Sequence, residues 1–352
     1  LAESGFEVSG EDDALTDEVK ASLKQAKVAF RPLPENCELV VLSSAINANH
    51  AAVLAARSRD IHIVRRGELL AEVMRDRKLV AICGSHGKTT TTAMLITILQ
   101  ESGIDAGYVL GGWFKDETIP PAHVGTGDWV VAEIDESDGT IANFAPEITL
   151  VVNLDWDHVD HYRQSGDMVA TFAGLLHRTR AGVLVNHSCK LKGDLISEAA
   201  DQQLKQHYTF GEDGDFSGSI SSSGKDGMML QLGGRFEATR VRVKAWGEFN
   251  AANAIGALAA ANLMGLAINE SALAEFPAVR RRQTVLAEND GVVVLEDYAH
   301  HPTEITALLG ALRQGMAPEN RLVVIFQPHR YSRTANFLQN FASSLGVVDR
   351  LF

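Results

Sequence analysis

The chain has 352 residues, of which 45% are hydrophobic and 22% charged, and its formal net charge is −13. This size and composition are typical of a globular protein with two or three domains. The negative charge is spread along the chain, which argues against a general nucleic-acid or membrane surface. An anionic ligand must therefore be bound by local groups.

The cysteines and the absence of long apolar runs favour a cytoplasmic protein. Cys37, Cys83 and Cys189 lie far apart without a CxxC spacing, which indicates reduced thiols. No long apolar run and no basic-then-apolar leader occurs, so the sequence supports neither a membrane span nor a signal peptide. The chain begins at Leu1 without an initiator methionine and stops in the strand-like VVDRLF, so we expect both ends to be truncated.

Alternating strand-like and helix-like segments divide the chain into three α/β blocks, with predicted domains at 1–77, 78–278 and 279–352. In the first block, the short strands FEVSG, CELVVLSSA and IHIVR alternate with helical stretches around 15–27 and 49–58. This pattern predicts a small Rossmann-like domain that lacks its opening strand.

The second block opens with the strand KLVAIC, the loop GSHGKT and a helix in which Met94, Leu95, Ile98 and Leu99 recur at helical spacing. Further strands are predicted at DWVVAEI and EITLVVNL. The Gly- and Ser-rich stretch GEDGDFSGSISSSGKDGMML indicates hairpins or a mobile flap. An Ala-rich helix after WGEFNAANA closes the block.

The third block starts near VRRRQ and repeats a strand-helix-strand pattern in GVVVLEDYA, HPTEITALLGALRQG and RLVVIFQP. Pro302 suits the first turn of its helix. We expect these strands to form a parallel sheet. The chain as a whole is thus predicted to have an α/β fold.

The loop between KLVAIC and its helix is a candidate phosphate-binding loop. Backbone N–H groups and the positive end of the helix dipole favour an anion there, Lys88 can reach β- and γ-phosphates, and Thr89 can bind Mg²⁺. Ile82 stands where GxxxxGK[ST] requires its first glycine, so a plain Gly-rich turn is the alternative. The candidate nucleotide contacts are Gly84, Ser85, His86, Gly87, Lys88, Thr89 and Thr90.

Two acidic stretches at strand ends offer ligands for Mg²⁺, which takes hard oxygen donors. Glu133 still belongs to the strand pattern and fits a metal ligand, whereas Asp138 fits a solvated loop. The cluster at 155–161 has no cysteine and no HExxH, so a phosphate-bridging metal is favoured over zinc. There His158 is favoured as the ligand, and His161 is expected to cap or pack.

Amide and basic groups complete the candidate site. Asn250 and Asn253 are three residues apart at a helix start and face the same way, as adenine readers would, although Asn250 alone also fits a helix cap. Arg280, Arg281 and Arg282 lie at the junction of the second and third blocks, where they form either a phosphate clamp or a solvated face.

Further candidates follow the two strands of the third block. Ligands bind at the C-terminal strand ends of open α/β sheets. The residues at these positions are Asp297, His300 and His301 after VVVLE, and His329, Arg330 and Arg333 after VVIFQP.

With these motifs assembled, the chain resembles the Mur ligase family, the ATP-dependent ligases that build the peptide of bacterial cell-wall precursors. The resemblance rests on VVLSSAI, GSHGKTTTTAM, AEIDESD, NLDWDHVDHY, EDYAHHPTEI and FQPHRYSRT, which occur in the family's order. It implies a Rossmann-like N-terminal domain for a UDP-sugar, a central P-loop ATPase domain and a C-terminal Rossmann-like domain that brings the amino acid.

The resemblance also implies roles for single residues. Candidate catalytic residues are Lys88, Glu133, His158 and Arg282. The implied contacts are Lys88 and Thr89 with ATP and Mg²⁺, Glu133 and His158 with the metal, Asn253 with adenine, Arg282 with phosphate, Asp297 with ribose, Ser43 and Ser44 with the UDP-sugar, and His329, Arg330 and Arg333 with L-alanine.

A lysine gap indicates the branch of the family. Later enzymes of the pathway carry a modified lysine soon after the histidine motif, and no lysine occurs here between Lys115 and Lys190. The resemblance therefore implies ligation of L-alanine to the lactyl carboxylate of UDP-N-acetylmuramate through an acyl phosphate. The alternatives are a ligase for a recycled peptide, a nucleotide-binding protein without ligase activity, and a P-loop kinase. No nucleic-acid or membrane partner is expected, and the oligomeric state stays open.

Overall fold

The computed structural model describes residues 1–12, 15–156, 161–200, 204, 206–224 and 226–352. The described part of the chain is α/β, and its largest sheet has ten strands. The described helices all fall short of the length and apolar character that a membrane span requires.

The described part of the chain before residue 78 contains short strands and helices in alternation. In chain order they are β1 (Ser9–Gly10), α1 (Asp17–Gln25), β2 (Ala29–Phe30), β3 (Leu39–Leu42), α2 (Ala51–Ser58), β4 (His62–Arg65) and α3 (Arg66–Val73). Strand β1 pairs with β2, and β3 pairs with β4, both in parallel. The alternation predicted for this segment is therefore present.

The middle part of the chain forms the ten-stranded sheet and the helices that cover it. In chain order its elements are β5 (Lys78–Cys83), α4 (Lys88–Glu101), β6 (Gly107–Val109), β7 (Ala122–His123), β8 (Trp129–Glu133), β9 (Ile148–Val151), α5 (Ser165–Arg178), β10 (Gly182–Asn186), α6 (Lys192–Ala200), β11 (His207–Gly211), β12 (Phe216–Gly224), β13 (Gly227–Gly234), β14 (Arg240–Val243) and α7 (Glu248–Leu263). The predicted hairpin in the Gly- and Ser-rich stretch is confirmed, because β12 and β13 pair antiparallel.

Helices cover both faces of this sheet because successive residues of a strand point to opposite faces. In β5, Val80 and Ile82 pack in the core beneath α4 and α7. Leu79 and Ala81 face the other way, into the core beneath α5. All four side chains are at most 3% exposed, so β5 is buried on both faces and its C-terminal end is held firmly.

The strand order places a ligand crevice at the end of β5. The sheet runs β14-β13-β12-β11-β10-β9-β5-β8-β6-β7, so β5 lies between β9 and β8. Strands β5, β8 and β9 are parallel, and the loops after them meet at one edge of the sheet. Open α/β sheets bind ligands where the strand order reverses in this way.

The C-terminal part of the chain corrects one expectation. Its elements are β15 (Thr284–Asn289), β16 (Val292–Glu296), α8 (Pro302–Gly315), β17 (Val323–Val324), α9 (Tyr331–Asn336), α10 (Leu338–Leu345) and β18 (Arg350–Leu351). Strand β16 pairs antiparallel with β15, and only β17 and β18 form the expected parallel pair. The reason is the turn at Asp290 and Gly291, whose φ angles of +48° and +78° suit a tight hairpin.

His123 joins the edge strand β7 to the start of the chain. Its Nδ1 lies 2.8 Å from Glu3 Oε1, and its Nε2 lies 2.8 Å from Asp105 Oδ1. Burial by itself lowers the pKa of His123, but the hydrogen bonds and charges of Asp105 and Glu3 outweigh it and raise the pKa. The protonated imidazole is therefore favoured in the folded protein.

This contact predicts a pH-dependent stability difference. Because the pKa of His123 is higher in the folded than in the unfolded chain, its contribution is complete below the unfolded pKa of about 6.5 and is lost as pH rises through the folded pKa. We expect His123→Gln to lower Tm more at about pH 6 than at about pH 9. Thermal unfolding at the two pH values measures this, and an equal loss at both would contradict it.

Candidate functional site

The predicted phosphate loop follows β5 and depends on two glycines. Gly84 and Gly87 have φ angles of +124° and +84°, which L residues with a side chain rarely adopt. A Cβ atom on Gly84 would lie 2.4 Å from the Asn153 carbonyl oxygen, and one on Gly87 would lie 2.6 Å from Asn253 Oδ1. Both positions therefore require glycine for conformation and for space.

The segment after β9 fixes the loop. The backbone N–H of His86 donates to Asn153 Oδ1 and Asn153 Nδ2 donates to the His86 carbonyl, both at 2.8 Å. Ser85 Oγ donates to the Asp155 carbonyl at 2.7 Å and accepts from its N–H at 2.9 Å. Asn153 was not among the predicted site residues, although it lies two residues after the buried strand β9, where site residues are expected.

Lys88 begins α4 and lies folded back over the loop. Its Nζ donates to the carbonyls of Gly84 and Ser85, and to Glu136 Oε1 at 3.1 Å. Burial by itself lowers the pKa of Lys88, but Glu136 and Glu133 outweigh it, so the pKa is raised and the ammonium is charged. Glu136 is 1% exposed, and nothing in the sequence pattern distinguishes it from its acidic neighbours.

Thr89 and Glu133 form the candidate metal site. Thr89 Oγ1 donates to Glu133 Oε1, and the N–H of Gly111 donates to Glu133 Oε2, both at 3.1 Å. Burial raises the pKa of Glu133, and the opposing charge of Lys88 offsets part of this rise. A hydroxyl and a carboxylate this close supply the hard oxygen donors that Mg²⁺ takes, so these residues fit the ion.

Of the two histidines in the second acidic cluster, the structure describes His161 but not His158. The predicted ligand His158 lies outside the described residues, so its role stays a prediction. His161 packs edge-on against Tyr162, with ring centroids 4.6 Å apart, which agrees with its expected packing role. Across the described ranges, no group of three or more His, Cys, Asp or Glu side chains is arranged to hold a metal ion.

A cavity of about 680 Å³ opens beside the phosphate loop. This volume lies within the range of small-molecule sites. Its walls come from the loop, α7, the β15–β16 hairpin and α8. Seven of the candidate residues line it, namely His86, Gly87, Thr90, Asn250, Asn253, Arg282 and Asp297.

The asparagine pair lies inside α7. The helix begins after Gly247, so the cap interpretation of Asn250 is wrong. Asn250 Nδ2 donates to the Trp246 carbonyl at 3.0 Å and to Gln283 Oε1 at 2.9 Å. Asn250 Oδ1 accepts from Asn253 Nδ2 at 3.3 Å, so Asn250 orients Asn253 toward the cavity and the loop.

The three arginines of the triplet lie in two different environments. Arg280 pairs with Glu117 at 2.8 Å, and Arg281 pairs with Glu296 at 3.2 Å. Glu117 is exposed and Glu296 is half-exposed, which fits a solvated face. Arg282 instead lines the cavity, as a phosphate clamp requires.

Asp297 closes the cavity from the C-terminal segment. Its Oδ2 accepts from the N–H of Gln283 at 2.8 Å, and its Oδ1 accepts from the N–H of Ala299 at 2.7 Å. Burial raises the pKa of Asp297, and these hydrogen bonds oppose the rise. The carboxylate is thereby fixed in orientation toward the cavity.

The predicted substrate residues are more dispersed. The ring of His329 lies 6.3 Å from that of His300, and Arg333 is 4% exposed. Arg330 precedes α9 with a φ angle of +65°. Ser43 and Ser44 lie on the exposed turn after β3 and are not among the residues that line the cavity.

The phosphate loop lies at the switch point of a mostly parallel sheet, next to a cavity that is partly lined by the C-terminal α/β segment. These features define a nucleotide-binding protein. Comparison with family models agrees over nearly the whole chain. The Mur ligase middle domain matches residues 82–261, the Mur ligase glutamate ligase domain matches 280–352, and the Mur ligase family catalytic domain matches 1–78. The chain belongs to the Mur ligase family.

Two relatives that match over the whole chain carry the same name. The UDP-N-acetylmuramate–L-alanine ligase of Desulforapulum autotrophicum is 34% identical over 362 residues, which cover 100% of this chain and 78% of the relative. The enzyme of that name from Myxococcus xanthus is 35% identical over 366 residues, covering 100% and 75%.

Solved structures agree with this likeness. The crystal structure of UDP-N-acetylmuramate–alanine ligase from Thermotoga maritima superposes with a TM-score of 0.82 at 25% identity and covers 99% of this chain and 79% of that one. A murein peptide ligase from Psychrobacter arcticus shares the fold, with a TM-score of 0.75 at 23% identity over 94% and 75% of the two chains.

Proposed function

We propose that this chain ligates L-alanine to the lactyl carboxylate of UDP-N-acetylmuramate in peptidoglycan synthesis, using ATP and releasing ADP and phosphate. Whole-chain likeness to enzymes of that name supports the proposal. The structural observation that carries it is the charged, largely buried Lys88 in a loop that contains Gly84 and Gly87, beside the cavity that Arg282 and Asp297 line. The separate thiols of the cysteines favour a cytoplasmic location.

The reaction needs an activated acid because a carboxylate is a poor electrophile. An oxygen of the lactyl carboxylate attacks the γ-phosphorus of ATP, the bond to the β-phosphate oxygen breaks, and ADP leaves. The neutral amine of L-alanine then attacks the acyl carbon, and phosphate leaves from the tetrahedral intermediate. Lys88 stabilises the charge that develops on the transferred phosphoryl group.

The surrounding residues have separable roles in this scheme. Thr89 and Glu133, with His158 as a predicted third ligand, would hold Mg²⁺, which supplies positive charge to the phosphates when it is bound. Glu136 keeps Lys88 protonated and positioned.

The C-terminal segment would complete the site. Arg282 would contact phosphate, and Asp297 the nucleotide ribose. His329, Arg330 and Arg333 are the residues that we assign to L-alanine. Approach of this segment to the loop would exclude water, which otherwise hydrolyses the acyl phosphate.

Asn253 is expected to contribute to ATP affinity more than to the chemical step. Its side chain lies at the cavity wall, against Gly87 and hydrogen-bonded to Asn250. Loss of about one hydrogen bond corresponds to roughly 1 kcal/mol, so Asn253→Ala should raise the KM for ATP about 5- to 10-fold with kcat changed less. Steady-state kinetics measure both constants, and a large fall in kcat at unchanged KM would contradict this role.

The proposed function is tested by phosphate release from the full chain with ATP and Mg²⁺. UDP-N-acetylmuramate and L-alanine are added separately and together, and the amide product is identified by mass. Release that needs both substrates and yields this amide supports the proposal. Preferential use of a tripeptide over L-alanine in competition would instead indicate the peptide-attaching ligase, and ATP binding without any amide would indicate a nucleotide-binding protein.

A further inference from the structure

Glu304, in the first turn of α8, is a largely buried carboxylate that the mechanism leaves without a role. Its Oε2 accepts from the N–H groups of His300 and His301, at 2.9 and 3.1 Å. The side chain of His301 in turn accepts from Thr303 N–H. These hydrogen bonds form a capping box, which satisfies backbone N–H groups at the start of α8. Capping accounts for only one of the two carboxylate oxygens.

The other oxygen faces the phosphate loop. Glu304 Oε1 lies 3.5 Å from His86 Nδ1 and 3.9 Å from Arg282 Nη1. His86 is 8% exposed, and its Nε2 lies 3.6 Å from Asp155 Oδ2. The imidazole of the loop therefore lies between a carboxylate of the middle segment and a carboxylate of α8.

The charge of Glu304 depends on these contacts. Burial by itself raises its pKa, but His86, His300 and Arg282 outweigh burial and hold the pKa well below its ordinary value. The carboxylate is thus anionic in the wall of a cavity proposed to bind the anionic phosphates of ATP. Capping does not need such a location, because Glu68 caps α3 through the N–H of Arg65 at 2.7 Å while exposed.

Aromatic packing extends this contact toward the residues assigned to L-alanine. The ring of His301 lies 4.7 Å from that of His86 and packs edge-on against Phe337 at 5.0 Å. Phe337 directly follows α9, which carries the buried Arg333. The loop, α8 and α9 are thus joined by contiguous contacts.

We propose that Glu304 is a positioning residue that joins the phosphate loop to α8, so that ATP in the loop fixes the segment that receives L-alanine and phosphoryl transfer leads to amide formation. This inference rests on the proposed function. It assigns Glu304 an effect on the fate of the acyl phosphate, since a loosened C-terminal segment would admit water in place of the amine.

The test compares Glu304→Gln with Glu68→Gln in the full chain. Glutamine keeps a capping oxygen in both helices. The two variants therefore differ in where the charge is lost: beside His86 and Arg282 in Glu304→Gln, and at an exposed position in Glu68→Gln. We expect Glu304→Gln to raise the phosphate released per amide formed above that of the unsubstituted chain. We also expect it to raise the KM for L-alanine by about 5- to 150-fold, the usual range for coupled sites. Glu68→Gln should change neither quantity.

Two further readouts separate the outcomes. With ATP bound, hydrogen exchange of the loop amides at 84–88 should be faster in Glu304→Gln than in the unsubstituted chain, and unchanged in Glu68→Gln. This measurement does not depend on amide formation. In a double-mutant cycle with His86→Gln, the effects should not add, because the two side chains act through one contact. An unchanged phosphate-to-amide ratio with unchanged exchange overturns the inference, as does an equal effect of Glu68→Gln. Absence of amide from the unsubstituted chain would instead refute the proposed function.

Discussion

Lys88→Ala is expected to lower kcat for amide formation by roughly 10²–10³-fold, the usual cost of removing one preorganised group that stabilises transition-state charge. The ammonium is buried and charged in the phosphate loop, 3.1 Å from Glu136, so no solvent cation can replace it readily. Single-turnover phosphate transfer measures the effect apart from binding. Lys78→Ala is the matched control, because Lys78 starts β5, the strand that precedes the loop, and is half-exposed beside Asp128.

A second variant separates catalysis from stability. Removing Lys88 takes away the cation that faces the buried Glu136, and breaking a buried pair by removing one partner destabilises proteins by about 3–5 kcal/mol. Lys88→Ala/Glu136→Gln should recover much of the loss in Tm but none of the loss in kcat. Near-normal ligation by Lys88→Ala would refute the assignment of this loop.

Glu133→Gln is expected to lower activity by roughly 10²-fold and to raise the Mg²⁺ concentration needed for half-maximal rate. The substitution preserves size and an oxygen for Thr89 but removes the negative charge that a hard cation requires. Mg²⁺ titration of the ligation rate measures both effects.

The control for Glu133 lies in the same acidic stretch. Asp138 accepts from the N–H and the hydroxyl of Thr140, which is a turn-forming role. Asp138→Asn should therefore leave the Mg²⁺ dependence unchanged. Equal Mg²⁺ requirements for Glu133→Gln and the unsubstituted chain would exclude Glu133 as a metal ligand.

The sequence could predict the part of the site whose residues lie close together along the chain. A strand, a Gly-rich turn and a helix are consecutive in the chain, so Gly84, Gly87 and Lys88 could be assigned from spacing and residue type. Glu133 was found because parallel strands end at one edge of a sheet. The domain boundaries and the metal-ligand roles of Thr89, Glu133 and His158 remain predictions.

The contacts that were missed join residues far apart in the chain. Glu136 reaches Lys88 across 48 positions, and Asn153 reaches the backbone of His86 across 67. Periodicity and turn signals carry no information on such distances. The antiparallel pairing of β16 is different, because Asp290-Gly291 is a local hairpin signal that outweighed the expected parallel pattern.

Conversion of the lactyl carboxylate of UDP-N-acetylmuramate into an acyl phosphate can be followed by isotope transfer. The substrate is labelled with ¹⁸O in both oxygens of that carboxylate and incubated with the full chain, ATP, Mg²⁺ and L-alanine. The bridging oxygen of the acyl phosphate leaves with phosphorus, so we expect one ¹⁸O atom in each phosphate released with the amide. Amide formation with unlabelled phosphate would rule out this intermediate.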